Sequence, residues 1–159
     1  MAPECGPVGR VGVILGTKHR LTRIFRFILP VCLAMLSPGP RAAEIIVHRS
    51  VVEDAFTLNV VRLIFTMRLL QWRDGTRVKV FVLPDAHPLH REFAKRSLEL
   101  YPRQLRRVWD RNLYSGAGPV PVELASVEEM ARLVASTPGA IGYLGDGQAG
   151  ETVRVIHVR

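Results

Sequence analysis

The sequence predicts an α/β domain, and two stretches of the chain carry that prediction. Residues 77–83 are mostly β-branched or aromatic, which indicates a covered strand, and Pro84 ends it. A helix follows over 88–100, because a proline suits its first turn and apolar residues recur at near-helical spacing. Between 126 and 144 a capped amphipathic helix leads into an apolar strand with a glycine inside it, a sign of a bulge or of close backbone contact.

The other predicted elements complete a mixed sheet of about four strands with about four helices. An apolar β-branched run predicts a first strand over 44–50, and alternation predicts a last strand over 152–158. Thr57 is the expected N-cap of a helix, and a further helix should run over 102–113. The apolar face expected for the Thr57 helix consists of Leu58, Val61, Ile64, Phe65 and Met67. The apolar face expected for the 102–113 helix consists of Leu105, Val108, Trp109 and Asn112 or Leu113.

The first 43 residues predict a secretion signal. They hold six of the 22 Lys and Arg residues and one acidic residue, so +5 of the net charge of +8 lies there. Basic residues precede an apolar run over 27–36, which is followed by a Pro/Gly break and then by Ala43. Such a run is shorter than the ~20 residues that a membrane-spanning helix needs. We expect cleavage near Ala43 and a periplasmic domain over 44–159.

Both cysteines, Cys5 and Cys32, belong to this leader. A mature chain without thiols excludes disulfide scaffolds, zinc-cysteine sites and cysteine catalysis. A lipoprotein at Cys32 is disfavoured, because the residues before it are not small.

The order strand, short loop, helix makes residues 85–89 the best candidate site. In an α/β sheet this arrangement points the free N–H groups of a helix start out of the carboxyl end of a strand, where anions tend to bind. His87 and His90 could add donors, more so below roughly pH 6.5, where an unperturbed histidine gains charge. The ordinary alternative for each is a surface histidine.

Two other classes of function are weaker. The exposed arginines of the 102–113 helix have no interleaved aromatic residues, so we expect no nucleic-acid partner. An enzyme would have to use a zinc-type cluster at the helix start, but a proline interrupts it, and we expect neither catalysis nor a cofactor. That cluster comprises Asp85, His87, His90 and Glu92, and the arginines are Arg103, Arg106, Arg107 and Arg111.

Seven short segments, taken in order, carry a resemblance that covers most of 45–145. They are Ile64-Phe65, Trp72-x-Asp74-Gly75, Leu83-Pro84, Arg91-Glu92-Phe93, Gln104-Leu105 with Trp109, Ser115-Gly116-x-Gly118-x-x-Pro121, and Thr137-Pro138-Gly139-Ala140-Ile141-Gly142-Tyr143. In this order they resemble the second lobe of the phosphate-binding proteins of ABC transporters. The resemblance implies a three-layer single lobe of the type 2 periplasmic-binding fold, with oxyanions bound by hydroxyls and by backbone N–H groups at helix starts.

The chain departs from that family at the helix start. Family members carry an arginine and a Ser-Gly-Thr type segment there, whereas residues 85–89 contain no hydroxyl, a proline without an N–H, and Asp85, which repels anions. The family's phosphate ligands therefore do not carry over residue by residue. The candidate ligand-binding residues that remain are Ala86, His87, Leu89, His90, Ser115 and Gly116.

The sequence thus predicts an exported solute-binding-like protein for phosphate or another oxyanion, acting in or beside an ABC uptake system. Its expected partners are the anion and a membrane permease, or a second lobe or protomer that supplies the other wall of the site. The alternative is an envelope accessory, sensor or protein-interaction module that has lost small-molecule binding.

Overall fold

The computed structural model describes residues 43–116 and 118–159, so the predicted leader, apart from Ala43, lies outside the described residues. The elements in chain order are β1 (Glu44–Val47), β2 (Ala55–Phe56), α1 (Leu58–Phe65), β3 (Lys79–Val82), α2 (Pro88–Glu92), a π-helical turn (Phe93–Ser97), α3 (Pro102–Ser115), β4 (Val122–Glu123), α4 (Val127–Ser136), β5 (Ala140–Leu144) and β6 (Arg154–Val158). No helix in this part of the chain is long and apolar enough to cross a membrane.

The strands form one mixed sheet in the order β2-β6-β1-β5-β3-β4. β5, β3 and β4 run parallel to one another, whereas β1 is antiparallel to both β5 and β6. The predicted mixed α/β fold is confirmed. The sheet has six strands rather than about four, because β2 and β4 have two residues each, too few to show a pattern in the sequence.

Helices cover both faces of the sheet, which gives the predicted three layers. Successive strand residues point to opposite faces, and in β5 Gly142 faces Met130 of α4 while the ring of Tyr143 packs on the other side. There Tyr143 stacks on Phe93 at 4.0 Å between ring centroids, and Phe65 of α1 meets Phe93 edge-on at 4.7 Å. The core therefore lies on both sides of β5.

Both predicted N-caps are present. The Thr57 hydroxyl accepts the Val60 N–H at 3.4 Å, and the Ser126 hydroxyl accepts the Glu129 N–H at 3.2 Å. The Glu129 carboxylate reaches back to the Ala125 N–H at 2.9 Å, one residue before the cap. These bonds satisfy donors that a helix start leaves free, which fixes where α1 and α4 begin.

The glycines of the 137–143 segment are explained by close contacts. Gly139 has φ +75°, and a Cβ there would overlap the carbonyl oxygen of Arg77. A Cβ at Gly142 would lie 2.5 Å from Met130 Sδ, so only glycine lets α4 approach β5 this closely. The Trp72 indole donates to the Gly139 carbonyl at 2.9 Å and ties the 72–75 turn to this segment.

Three local predictions need correction. The helix expected over 88–100 ends at Glu92 and continues as a π-helical turn, a wider turn that leaves both Phe93 and Ala94 fully buried. Met67 has φ +59° and so lies beyond α1 instead of extending its face. Leu113 is exposed, because the buried face of α3 consists of its first turns.

Candidate functional site

The candidate site lies where the parallel strands β3 and β4 end. Asp85 follows β3 after Leu83 and Pro84, and Glu123 of β4 lies opposite Val82 of β3 in the parallel register. Because carboxyl ends of parallel strands meet at one edge of a sheet, this edge is where ligands bind in open α/β sheets. The start of α2 lies at the same edge.

An arginine of α3 holds two carboxylates together at this edge. Arg106 Nε donates to Asp85 Oδ2 at 3.0 Å, and its Nη2 donates to Asp85 Oδ1 at 2.9 Å and to Glu123 Oε2 at 2.8 Å. The guanidinium also lies 5.3 Å from the centre of the Trp109 ring. Hydrogen bonds to both carboxylates raise the pKa of Arg106. We call Asp85, Arg106 and Glu123 the carboxylate fork; its formal charge is −1.

A fully buried histidine connects the carboxylate fork to the core. The Tyr143 hydroxyl accepts the Leu83 N–H at 2.8 Å and makes a second hydrogen bond with His90 Nδ1 at 2.6 Å. We assign the proton of the neutral ring to Nε2, because this atom faces the Asp85 carboxylate, and the Tyr143 hydroxyl then donates to Nδ1. Nε2 lies 3.6 Å from Asp85 Oδ1, beyond hydrogen-bond distance, and has no hydrogen-bond partner among the described residues.

His90 is neutral near pH 7. Burial lowers the pKa of His90, the Asp85 carboxylate opposes that shift, and the nearby charge of Arg106 adds to it. Burial likewise raises the pKa of Tyr143, so its hydroxyl keeps the proton that it donates. The side chain expected as a surface histidine that would charge readily is instead a buried, uncharged link in a hydrogen-bond chain.

The predicted donors at the helix start are partly used within the chain. His87 is the N-cap of α2, and its Nδ1 accepts the Leu89 N–H at 3.2 Å. Pro88 has no N–H, and α2 itself has only five residues. Ala86 is exposed and Leu89 is half-buried. The structure thus gathers the predicted residues 86–90 in one place, where the N–H groups of His87 and Leu89 are already bonded within the chain.

Ser115 and Gly116 lie at the other end of α3. The Ser115 hydroxyl donates to the Arg111 carbonyl at 2.5 Å, and Gly116 ends the helix with φ +63°. Nine residues of helix separate Ser115 from Arg106, a rise of about 13 Å. A helix carboxyl end also presents carbonyl oxygens, which repel anions. The structure therefore does not bring these two residues to the start of α2.

The described residues are not arranged as the zinc-type cluster at the helix start would require. Among the residues that the structure describes, no three His, Cys, Asp or Glu side chains are grouped as metal ligands. His87 uses its Nδ1 as a helix cap, and His90 uses its Nδ1 on Tyr143.

The fold has clear counterparts among solved structures. An ABC-type phosphate transport receptor from Vibrio cholerae superposes with a TM-score of 0.57 at 14% identity over 74% of this chain and 46% of its own. A Clostridium perfringens structure is described as a putative phosphate ABC transporter substrate-binding protein with bound phosphate. It superposes with a TM-score of 0.57 at 15% sequence identity, over 74% of this chain and 45% of its own. PstS from Borrelia burgdorferi superposes with a TM-score of 0.54 at 12% sequence identity, over 75% of this chain and 47% of its own. The chain has the fold of one lobe of these proteins.

At these identities the likeness establishes the fold alone, and the chain spans less than half the length of those three proteins. No protein-family model matches the sequence, and no curated protein matches it. The predicted resemblance to phosphate-binding proteins is thus confirmed in the fold, while the ligand has to be argued from the site.

Sequence reasoning missed three residues of this site. In the sequence Arg106 looks like the other solvated arginines of α3, and Glu123 lies in a strand too short to predict. Tyr143 stands out in the sequence only as part of the 137–143 segment, although an aromatic hydroxyl in a buried strand signals a hydrogen-bond partner in the core. No spacing rule could have paired Asp85 with a residue 21 positions away.

Proposed function

We propose that this chain is an exported solute-binding-type lobe that acts through a partner protein, and that the carboxyl edge of its sheet does not take up a free oxyanion. The observation that carries this proposal is the carboxylate fork. Arg106, the basic side chain that could hold an anion there, is bidentate to Asp85 and also bonded to Glu123.

Electrostatics oppose anion uptake at this edge. An entering phosphate would have to displace Asp85 from a charge-assisted, two-point bond and then lie beside two carboxylates. His90 offers no compensating charge, because burial lowers its pKa. Asp85 in effect occupies the place of the anion on Arg106.

The one-lobe fold of the described residues supports action through a partner. Binding proteins of the clamshell type enclose their ligand between two lobes that close about a hinge. The described lobe lines one side of such a ligand, so the affinity of that site would depend on a second wall. Such a wall could come from a permease, a second protomer or another envelope protein.

The location proposed for this action is the periplasm. The basic and apolar pattern of residues 1–43 supports export, with cleavage near Ala43. A binding role rather than catalysis is supported by the solved proteins that share the fold, which are described as transport receptors and substrate-binding proteins.

A second candidate function is binding of phosphate or another oxyanion beside an ABC permease. It is favoured by the bound phosphate of the Clostridium perfringens structure and by the unpartnered Nε2–H of His90 near the carboxylate fork. In this alternative the carboxylate fork would have to open before the anion entered.

Isothermal titration with phosphate, sulfate and molybdate separates the two candidates. We expect no heat of binding for the wild-type protein at millimolar anion. The double variant Asp85→Asn with Glu123→Gln frees Arg106 and should gain measurable affinity, which a third change, Arg106→Gln, should remove. Saturable micromolar binding by the wild-type protein would overturn the proposal in favour of the anion receptor.

A further inference from the structure

A second concave surface lies away from the carboxylate fork, at the amino-terminal half of β3. It is a groove of about 1060 Å³ between the segments 67–72 and 77–81 and the stretch that contains Pro119, Val120 and Val122. We call it the β3 groove. The proposed function uses none of these residues, although the sequence singles out the 72–75 turn and the 114–121 loop.

The charge of the β3 groove is of one sign. Arg68, Arg77 and Lys79 line it, all three are exposed, and no described Asp or Glu is among its lining residues. None of the three side chains makes a hydrogen bond or an ion pair with a described residue. This differs from the carboxylate fork, where Arg106 is neutralised by two carboxylates.

The same groove is apolar between its cations. Val78, Val80 and Phe81 form buried parts of its lining, while Leu70 is 40% exposed and Val122 53% exposed. Exposed apolar side chains beside unpaired cations make an amphipathic surface, which is typical of sites for protein segments.

One wall of the β3 groove is held rigidly. Val78 N–H donates to the Leu70 carbonyl at 2.9 Å, and Trp72 N–H donates to the Thr76 carbonyl at 2.8 Å, so residues 70–78 form a closed hairpin. The Trp72 indole fastens this hairpin to Gly139. A preformed wall loses little conformational entropy when a ligand binds.

We propose that the β3 groove binds an acidic, amphipathic segment of a partner protein. Apolar side chains of that segment would pack on Leu70 and Val122, and its carboxylates would face Arg68, Arg77 and Lys79. This inference rests on the proposed function, to which it adds the docking surface and the chemistry of the partner. Charge complementarity selects an acidic segment, and the exposed apolar rim distinguishes it from a free anion. Single-stranded nucleic acid is disfavoured because the aromatic rings in the lining, Trp72 and Phe81, are buried and cannot stack with bases.

The test uses fluorescence anisotropy of a labelled peptide that alternates Leu and Val with Glu and Asp, added to the full chain. The triple variant Arg68→Gln, Arg77→Gln, Lys79→Gln should bind it about tenfold more weakly than wild type, since each exposed pair contributes modestly. The matched control is Arg103→Gln, Arg107→Gln, Arg111→Gln, which removes the same charge from α3 and should change the affinity less than about twofold.

Two further peptides define the chemistry. A peptide with Lys in place of its acidic residues, and one with Ser in place of its apolar residues, should both bind weakly. Equal loss in the two triple variants, or no binding by the wild-type protein at millimolar peptide, would overturn the inference. A concentration-dependent dimer that the groove variant abolishes would also overturn it, because the occupant would then be a second copy of this chain. Phosphate titration of the same samples distinguishes failure of the docking surface from failure of the proposed function.

Discussion

Replacing Tyr143 by phenylalanine should destabilise the domain through lost hydrogen bonds alone. The hydroxyl is fully buried, accepts the Leu83 N–H at 2.8 Å and donates to His90 Nδ1 at 2.6 Å. The phenyl ring that remains can keep its stacking on Phe93. Each buried polar group left without a partner costs about 1–3 kcal/mol, so two such groups predict a loss of about 2–6 kcal/mol in the free energy of unfolding.

Urea unfolding followed by circular dichroism measures this loss as a lower midpoint at unchanged slope. The matched control is Tyr114→Phe, since the Tyr114 side chain is 86% exposed and its hydroxyl can bond to water. We expect that control to stay within about 0.5 kcal/mol of wild type. If Tyr143→Phe changed stability no more than Tyr114→Phe does, the hydrogen-bond chain from Leu83 to His90 would be wrong.

Two further predictions concern the same core. Because burial lowers the pKa of His90 in the folded state, the stability that the neutral ring confers is complete above about pH 6.5 and declines as the pH falls toward the folded pKa. The decline, measured by urea unfolding at several pH values, should flatten in His90→Gln but not in the exposed control His157→Gln; equal slopes would refute it. Gly142→Ala places a Cβ 2.5 Å from Met130 Sδ and should cost about 1–3 kcal/mol by overpacking. Gly118→Ala meets only an ordinary contact at 3.6 Å and should be nearly neutral in thermal unfolding, so equal effects would contradict this packing.

Much of the fold could be predicted because local chemistry and tertiary structure agree. Thr57 and Ser126 are the predicted caps, and the apolar runs that become β1, β3 and β5 are buried in the sheet. The misses are elements whose form depends on distant contacts. β2 and β4 exist only through pairing with β6 and β3, and the π-helical turn after Glu92 follows no pattern in the spacing of apolar residues.

The candidate site was harder to predict than the fold. The position of the helix start after β3 followed from the strand-loop-helix order, but its chemistry depends on which charges meet across the fold. Arg106 is one of several arginines on α3, and only the structure pairs it with Asp85 and Glu123. His90 resembled a surface donor in the sequence, because the partner that buries it, Tyr143, lies 53 residues away.

The most direct test of the central claim is a phosphate titration of the wild-type protein followed through the Arg106 Nε–H signal in ¹H–¹⁵N spectra. If Asp85 and Glu123 already occupy this guanidinium, the Arg106 signal and the amide signals of residues 86–90 should not shift up to about 1 mM phosphate. Any binding free energy would then be weaker than about −4 kcal/mol, the value for a Kd of about 1 mM. A saturable shift of the Arg106 signal at micromolar phosphate would contradict the account, because the anion would then have replaced the carboxylates.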